Sequence, residues 1–302
     1  MRNEPIQVGY QGEPGAFSEA AVLSLLPDAE PVPHRTFADV FDGVEGGRLA
    51  YGVVPLENSQ GGSITETFDL LMRERVAIVG EVVVRVDQAL LGLADSTLDG
   101  IRKVWSHPQA LAQCEAFLSG LHAELVPMYD TAGAAKRVAE EGRTDQAAVA
   151  AERAAAVYGL EVLAGRIQTH QDNQTRFAAI AAHGSDGTAS GALGRPDKTT
   201  LVFGTRHVPG ALVRCLSVFA GRGLNLAKIE SRPLGERPWE YRFYLDVEAG
   251  ADDPPMRAAV DELRREASTV QVLGSYPRWR WPAEAAGPPA GRTRGHGTQP
   301  VD

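Results

Sequence analysis

The sequence contains little cysteine and no long hydrophobic run. Cys114 and Cys215 are its two cysteines, far apart and without a Cys-x-x-Cys motif or a histidine at ligand spacing. This spacing excludes a disulfide framework and a cysteine-based metal site, so we predict two reduced, buried thiols. No stretch approaches the roughly 20 apolar residues that a membrane span needs, and the first ten residues lack the apolar core of a secretory signal. We therefore expect a cytoplasmic protein that does not bind a membrane.

Positive charge is also scarce. The chain has 30 Lys and Arg against 39 Asp and Glu, a formal net charge of -9 at pH 7. This balance has the wrong sign for a protein that binds nucleic acid phosphates, so we expect no nucleic acid partner. The hydrophobic share of 43% and the charged share of 23% are those of a globular chain, and 302 residues predict roughly two to three compact units.

The N-terminal half alternates short β-rich runs with helical patterns. Strands are predicted at 6–10, 51–54, 77–86, 103–106 and 147–150, and helices at 16–26, 65–73, 110–119 and 151–158. This alternation favours an α/β sheet whose ligands bind beyond the carboxyl ends of the strands. The loops that follow strands are therefore the first places to look for a site.

The C-terminal part has a different organisation. Residues 186–197 are rich in Gly, Ser and Ala, which predicts a linker. The segment 198–277 then reads strand, helix, strand, strand, helix, strand, the βαββαβ order of a ferredoxin-like unit. From residue 283 the sequence is rich in Gly, Pro and Arg without a hydrophobic pattern, so we predict a disordered tail.

Four segments after predicted strands carry polar side chains, each with a plainer structural explanation. The turn at 11–19 could present backbone N–H groups to an anion, or simply need Gly for positive φ. The loop at 55–63 offers Asn and Ser donors, but Ser63 or Thr65 could instead cap a helix. In the segment 106–111, Ser106 could likewise be a helix cap, and a lone histidine such as His107 is commonly structural.

The fourth segment, 173–177, enters a predicted strand of the first sheet. Strand alternation places Thr175 and Phe177 on one face and Arg176 on the other. Thr175 and Arg176 can share one site only if Thr175 lies in the preceding turn; otherwise Arg176 supports the site through an ion pair. A buried arginine is costly unless an anion meets it.

Two segments of the C-terminal unit could bind an amino acid. The start of the helix predicted at 209–220 exposes unpaired backbone N–H groups, which suit a carboxylate. The sequence Glu-Ser-Arg-Pro at 230–233 lies at the end of the strand predicted at 225–231. Asn225, at the start of this strand, could contact the ammonium or carboxylate of the same ligand. By spacing alone, a simple β-α connection and a surface ion pair explain these residues equally well.

Together these segments resemble prephenate dehydratases that carry a C-terminal ACT regulatory domain. Residues 10–18, 55–59, 106–111 and 173–177 look like the catalytic signatures of that family in order, and residues 210–213 and 230–233 look like its effector-binding pair. The resemblance covers about residues 5–277. One position departs from it, because Ala16 stands where many members have threonine. The Pro-Gly-Ala sequence there also resembles arogenate dehydratases.

The resemblance implies a two-lobed α/β catalytic domain similar to type II periplasmic binding proteins, followed by a ferredoxin-like βαββαβ ACT domain. The expected boundaries are residues 5–185 for the catalytic domain (lobe 1 at 5–86 and 172–185, lobe 2 at 87–171), 186–197 for the linker and 198–277 for the ACT domain. Such enzymes remove CO2 and water together from prephenate to make phenylpyruvate, and the resemblance implies no metal and no cofactor.

The resemblance also implies roles for individual residues. Thr175 is the expected catalytic group at the leaving hydroxyl, and Arg176 would anchor a carboxylate or support its loop. Glu57 would be either protonated, with a raised pKa, or turned away from the substrate. The expected substrate-binding residues are Gly15, Ala16, Glu57, Asn58, Ser59, Ser106, His107, Gln109, Arg176 and Phe177. The expected residues for the effector L-phenylalanine are Gly210, Ala211, Leu212, Val213, Asn225, Glu230, Ser231 and Arg232.

The family pairs its ACT domains, so we expect a homodimer or homotetramer inhibited by L-phenylalanine. Two other functions stay open at this point. An arogenate dehydratase would need an acceptor for the substrate ammonium, for which Asp172 or a backbone carbonyl is available. A sensor without catalysis would bind an amino acid but would not explain the adjacent threonine and arginine.

Overall fold

The computed structural model describes residues 5–73, 75–183, 193–233 and 241–280. The helices are α1 (Phe17–Leu25), α2 (Phe37–Glu45), α3 (Thr65–Leu71), α4 (Pro108–Gln113), α5 (Glu115–Leu118), α6 (Thr131–Glu141), α7 (Glu152–Tyr158), α8 (Ala211–Ala220) and α9 (Pro254–Glu266). The predicted tail and most of the predicted linker lie outside the described residues. Within those residues, none of the helices has the length and apolar character to cross a membrane.

The strands form two sheets. They are β1 (Gln7–Gln11), β2 (Glu30–His34), β3 (Tyr51–Asn58), β4 (Gly62–Ser63), β5 (Val76–Arg85), β6 (Gln88–Gly92), β7 (Lys103–Ser106), β8 (Glu124–Pro127), β9 (Gln146–Ala151), β10 (Glu161–Ala164), β11 (Gln174–Ala182), β12 (Lys198–Gly204), β13 (Leu226–Pro233), β14 (Tyr241–Val247) and β15 (Thr269–Tyr276). The larger sheet runs β13-β14-β12-β15-β5-β11-β3-β1-β2, with β4 paired to β3, and the smaller runs β10-β6-β9-β7-β8.

The catalytic part consists of two lobes, each built on one sheet. Lobe 1 contains β1 to β5 and β11, and lobe 2 contains β6 to β10. The chain crosses between them twice, after β5 and before β11. In lobe 1, apolar residues of α2, α3 and β3 form a buried core with Phe41 and Phe68 fully covered. The loops after β1, β3 and β7 therefore meet between the lobes, at strand ends as the α/β arrangement predicts.

The ACT unit has the strand order β13-β14-β12-β15, with α8 and α9 packed on one face. It joins lobe 1 directly, because β15 lies parallel to β5 and Gly274 pairs with Ile78. A side chain at Gly274 would overlap the backbone carbonyl of Ile78, so the close contact between the domains requires glycine there. The two domains thus share one continuous sheet.

The predicted fold class is confirmed: a two-lobed α/β catalytic part is followed by a βαββαβ unit. Both cysteines are free and buried, as expected. Local details differ. The loop expected from residue 55 is wrong, because β3 continues to Asn58 through its pairing with β11. The single helix expected at 110–119 is two short helices, α4 and α5, separated at Cys114.

Candidate active site

A cavity of about 360 Å³ lies between the two lobes. Lobe 1 contributes residues from the turn before α1, the end of β3 and the start of β11, including Ala16, Asn58 and Thr175. Lobe 2 contributes the start of α4 and the segment before α6, including His107, Gln109 and Asp130. Residues that are far apart in the sequence therefore line one hollow.

Asn58 and Thr175 form the hydrogen-bonded centre of this cavity. They are direct partners in the antiparallel pairing of β3 with β11, and Asn58 Nδ2 donates to Thr175 Oγ1 over 3.0 Å. The same amide nitrogen lies 2.7 Å from Asn173 Oδ1 and 3.0 Å from the carbonyl oxygen of Gln174. Because the Thr175 hydroxyl accepts this bond, its own proton remains available to a ligand in the cavity.

The turn after β3 is held by Asn58 and Ser59. Asn58 Oδ1 accepts hydrogen bonds from the backbone N–H groups of Gln60 (3.1 Å) and Gly61 (2.7 Å). Ser59 Oγ donates to the carbonyl of Asp172 and accepts from the N–H of Gln174, so it fastens this turn to the chain entering β11. Ser59 is therefore placed beside the site rather than in the cavity lining.

The segment after β7 divides its predicted residues between two positions. Ser106 is fully buried, and its hydroxyl donates to the Val149 carbonyl over 2.6 Å, so it supports lobe 2 and does not line the cavity. His107, not Ser106, caps α4: His107 Nδ1 accepts from the Gln109 N–H over 3.2 Å. An accepting Nδ1 leaves the proton on Nε2, and burial lowers the pKa of His107. His107 and Gln109 both line the cavity.

The turn before α1 makes the contact between the lobes. Gly15 has φ of 89°, and an added Cβ there would lie 2.8 Å from Ala154 Cα in α7 of lobe 2. Its N–H donates to Glu19 Oε2 over 2.8 Å. Gly15 thus lies at the lobe contact, while its neighbour Ala16 lines the cavity and precedes α1 without a side-chain cap.

Glu57 and Arg176 face away from the cavity. They are partners in the β3–β11 pairing, and Arg176 Nε lies 2.7 Å from Glu57 Oε1. Lys228 of the ACT unit also pairs with Glu57. Burial acts to raise the pKa of Glu57, but the charges and hydrogen bonds of Arg176 and Lys228 outweigh it and hold the pKa below its usual value. Glu57 is therefore ionised and turned away from the cavity. Phe177 belongs to the buried core.

Arg176 is held at the boundary between the catalytic and ACT domains. Besides Glu57, its Nη1 lies 3.1 Å from Glu81 and 2.8 Å from Asp246, and its side chain is 10% exposed. Burial acts to lower the pKa of this guanidinium, and the carboxylates, first Asp246, raise it well above its usual value. Of the two predicted roles, the structure assigns Arg176 the ion-pair role, since it does not line the cavity.

Sequence reasoning missed the segment before α6. Tyr129, Asp130 and Thr131 line the cavity. Asp130 Oδ1 accepts from the Gly133 N–H (2.5 Å), which caps α6, and Oδ2 accepts from the Glu13 N–H (3.1 Å) in lobe 1. Burial, opposed by these hydrogen bonds, raises the pKa of Asp130. The available signal was an aspartate directly before an alanine-rich helical run, which reads only as a helix cap.

The cavity lining is short of formal charge. Among the described residues that line it, Asp130 is the one carboxylate, and neither lysine nor arginine is present. Gln11, Gln88, Gln109 and Gln113 supply neutral donors and acceptors instead. In the described ranges no group of three His, Cys, Asp or Glu side chains could hold a metal ion. The cavity therefore offers directional neutral hydrogen bonds around the Thr175 hydroxyl.

The predicted effector residues form two groups in a single chain, and Asn225 belongs to neither. The first group lies at the start of α8 and lines a cavity of about 530 Å³, which Thr205, Arg206, His207 and Tyr241 also line. This group consists of Gly210, Ala211, Leu212 and Val213. Those on β13 lie two strands away, where Glu230 accepts a hydrogen bond from Ser63 of the catalytic domain. Asn225 donates to Glu248 over 2.8 Å, apart from both groups.

Comparisons with known proteins agree with this architecture. The prephenate dehydratase family model matches residues 8–185, and the ACT domain model matches residues 199–265. A chloroplastic arogenate dehydratase/prephenate dehydratase 2 of Arabidopsis thaliana is 43% identical over 281 residues, covering 90% of this chain and 73% of the relative.

The solved structures that are similar over 90% of this chain include two with more than 30% identity. One is a prephenate dehydratase of Arthrobacter aurescens in complex with L-Phe, with 32% identity, a TM-score of 0.80 and 90% of its own chain covered. The other is described as GqqA, a novel type of quorum quenching acylase, with 34% identity, a TM-score of 0.81 and 98% of its chain covered. The match of the family model to most of the catalytic part, with its signature segments meeting at one cavity, shows that the chain belongs to the prephenate dehydratase family and carries a C-terminal ACT domain.

Proposed function

We propose that the chain converts prephenate to phenylpyruvate by decarboxylating dehydration. In this reaction the ring carboxylate leaves as CO2, its bonding electrons enter the ring, and the ring hydroxyl leaves with a proton as water. The single observation that supports the proposal most is the Asn58–Thr175 pair in a cavity between two lobes. The name of the Arabidopsis relative includes this activity.

Thr175 is the group that acts on the leaving hydroxyl. Its proton is free because its oxygen already accepts from Asn58, so it can donate a hydrogen bond to the departing oxygen. A threonine hydroxyl is too weak an acid to give up its proton outright, so its contribution is a positioned hydrogen bond or a relay. A placed donor of this kind accelerates such a step by about 10²- to 10⁴-fold.

The low charge of the cavity suits the loss of CO2. A lysine or arginine beside the ring carboxylate would stabilise the ground state, because that negative charge disappears in the reaction. The described lining of this cavity has neither, and glutamine amides and His107 surround the site. Arg35 lies in an adjoining cavity that shares Gln11, Gly12, Tyr129 and Asp130 with it. Closure of the two lobes would add to this effect by excluding water.

A second candidate substrate is arogenate, in which an ammonium and a hydrogen replace the side-chain keto oxygen of prephenate. The observation that favours it is Asp130, the one carboxylate in the described lining of the cavity. A fixed negative charge attracts the ammonium that arogenate carries and prephenate lacks, whereas the two carboxylates are common to both substrates. Asp172, the earlier candidate for this role, is not among the residues that line the cavity.

Regulation and assembly belong to the same proposal. The ACT unit would bind L-phenylalanine and inhibit the enzyme in a homodimer or homotetramer; a similar solved structure is described as a complex with L-Phe. Among the described strands, β13 lies at the outer edge of the larger sheet, where it could pair with a second copy. The cytoplasmic location stays a prediction.

None of the described hydrogen bonds joins the Thr175 hydroxyl to a base, so these contacts do not favour the acylase activity named for one structural neighbour. Hydrolysis of an amide by a hydroxyl nucleophile needs a base within hydrogen-bond reach. Among the described contacts, His107 bonds the N–H of Gln109, and the Thr175 hydroxyl bonds Asn58.

The purified protein should be offered prephenate and arogenate separately, with phenylpyruvate and phenylalanine followed as products. We expect Thr175→Ala to lower kcat by about 10²- to 10⁴-fold while the protein stays folded, because the donor to the leaving hydroxyl is lost. Thr175→Ser, which keeps the hydroxyl, is the matched control and should retain most of the activity. Turnover of neither substrate by the wild type, or near wild-type turnover by Thr175→Ala, would show the proposal to be wrong.

A further inference from the structure

We propose that Lys228, on the ACT strand β13, is a positioning residue for the active site: it holds Glu57 and the turn after β3, and through them the Asn58–Thr175 pair. This inference rests on the proposed function. It assigns a part of catalysis to the regulatory domain of the same chain. It also gives the effector strand a direct physical route to the reacting hydroxyl.

Strand alternation puts the charges directly behind the catalytic pair. Asn58 and Thr175 are partners across β3 and β11, and the next pair in register is Glu57 with Arg176. Successive side chains of a strand point to opposite faces. The first pair therefore meets the cavity, and the second pair meets the ACT domain. Any shift of Glu57 along its strand also moves the neighbouring Asn58.

Lys228 contacts both strands that bound the turn. Its ammonium pairs with Glu57 of β3 and lies 3.1 Å from Ser63 Oγ of β4, the residue directly opposite Glu57 in the β3–β4 pairing. It also lies 3.1 Å from Glu230 Oε2, and Ser63 donates a hydrogen bond to the same carboxylate. Two side chains of β13 thus hold both ends of the turn at residues 59–61.

This turn carries the groups that orient Asn58. The N–H groups of Gln60 and Gly61 donate to Asn58 Oδ1, which fixes the amide so that its Nδ2 points to Thr175. The Lys228 side chain is 15% exposed, so its ion pair is screened less than a surface pair would be. Displacement of reacting groups by about 1 Å can cost about 10²-fold in rate, so the turn need only loosen to lower kcat.

Glu230 connects this arrangement to ligand binding. The resemblance to the family places Glu230 among the effector residues, and in the structure its carboxylate is bonded to Ser63 and Lys228. An amino-acid effector carries an ammonium that would compete for this carboxylate. A ligand that binds more tightly when Glu230 is released from Ser63 shifts the protein towards the state with the loosened turn. Inhibition requires such a difference in affinity between the two states.

The decisive variant is Lys228→Met, which keeps an unbranched side chain and removes the charge. We expect kcat for the preferred substrate to fall by about 10- to 100-fold with KM changed less than about twofold, because the substrate-binding groups remain. Lys228→Arg should restore most of kcat. Lys103→Met, which removes an ammonium paired with Glu124 in lobe 2, is the matched control and should behave like the wild type.

A double-mutant cycle tests the route through Glu57. If Lys228 acts through this carboxylate, Lys228→Met should have little further effect on kcat in a Glu57→Gln background. Isothermal titration with L-phenylalanine, paired with kcat/KM at zero and saturating effector, should show that Lys228→Met still binds the effector but responds to it less. Additive effects of the two substitutions, or an unchanged kcat and an unchanged response in Lys228→Met, would overturn the inference.

Hydrogen exchange separates this inference from the proposed function. The amides of residues 60 and 61 should exchange at least about tenfold faster in Lys228→Met than in Lys103→Met, even if neither substrate is turned over. Unchanged exchange there would count against the inference alone. If Lys228→Met does not fold, Ser63→Ala is the alternative variant, because it removes the contacts of β4 with Lys228 and Glu230. It should also lower kcat with little change in KM. A wild-type kcat in this variant would overturn the inference.

Discussion

Thr175 accepts a hydrogen bond from Asn58, and this contact leaves the hydroxyl proton available for donation into the cavity. Its sequence neighbour Arg176 is turned to the opposite face and bound by Glu57, Glu81 and Asp246. Adjacent residues of the same signature thus have different tasks: one faces the substrate and the other fixes the strand. At the residue scale, the charge that remains in the cavity is Asp130.

Asp130→Asn tests whether this charge selects the substrate. Asparagine keeps the shape of the side chain and an oxygen that can cap α6, so the helix should persist. Its amide nitrogen cannot accept from the Glu13 N–H as Oδ2 of Asp130 does, so one hydrogen bond between the lobes is lost. We expect the ratio of kcat/KM for arogenate to kcat/KM for prephenate to fall by about tenfold, because an attraction of about 1.4 kcal/mol for the ammonium of arogenate disappears. Steady-state kinetics with both substrates provide the measurement. Equal changes for both substrates would contradict a role in selection.

At the element scale, the turn between β1 and α1 joins the lobes. Gly15 packs against the backbone of Ala154 in α7, Tyr158 donates to the Pro14 carbonyl over 2.8 Å, and Glu13 accepts hydrogen bonds from Tyr129 and Lys136. These contacts surround Ala16 at the cavity wall. A short glycine turn therefore controls how closely the two lobes approach each other.

Gly15→Ala should keep the lobes apart. The substitution adds a methyl group 2.8 Å from Ala154 Cα at a position with positive φ. We expect the free energy of unfolding to fall by about 2–5 kcal/mol, from backbone strain and steric overlap, and kcat/KM to fall with it. Gly47→Ala is the control, since Gly47 also has positive φ but an added Cβ would meet nothing within 4 Å. Equal losses in urea unfolding and activity for both variants would contradict the packing role.

At the scale of the whole molecule, the larger sheet runs from lobe 1 into the ACT unit without a break. A buried cluster of charges lies at the joint: Arg176 and Glu81 from lobe 1 face Lys198 and Asp246 from the ACT unit, with distances of 2.8 to 3.3 Å. Paired charges of this kind hold the two domains in one relative position. Removal of one partner leaves an uncompensated buried charge and destabilises the fold. Catalytic and regulatory parts are consequently expected to unfold together.

Asp246→Asn should weaken this joint. Burial acts to raise the pKa of Asp246, but Arg176 and Lys198 outweigh it and hold the pKa below its usual value. The ionised carboxyl therefore stabilises the folded state at pH values above about 3.9, its pKa in the unfolded chain. This stabilisation is lost as the pH falls through the lower pKa that the group has in the folded state. We expect a loss of about 3–5 kcal/mol at pH 7 in urea unfolding, shrinking in acid. Exposed Asp261→Asn is the control; a loss independent of pH would contradict the charge pairing.

Assembly through β13 also belongs to the whole molecule. Ile229 is 50% exposed on this edge strand, on the face opposite to Lys228 and Glu230. Light scattering should give the mass of two or four chains for the wild type, and Ile229→Lys should shift it towards one chain, because an edge charge opposes strand pairing. A monomeric wild type that L-phenylalanine still inhibits would contradict assembly as the basis of regulation.

Sequence alone was sufficient for the order of elements in the ACT unit. In the catalytic part it missed the helices α2 and α6 and the strands β2, β6, β8 and β10. The βαββαβ order of the ACT unit follows from its hydrophobic spacing, and α9 lies where it was predicted. Short or polar elements such as β2 and β10 gave no clear pattern. The broken helix at Cys114 and the extension of β3 to Asn58 depend on tertiary packing and strand pairing, which a local pattern does not contain.

What the sequence by itself determined was the set of residue types at the strand ends and their alternation along each strand. That alternation already required Thr175 and Arg176 to face opposite ways, but it could not say which of them met the substrate. Only the tertiary structure decided this, because the ion-pair partners of Arg176 lie on three strands that are far from it in the sequence. The same holds for Asp130, whose place in the cavity results from the approach of one lobe to the other.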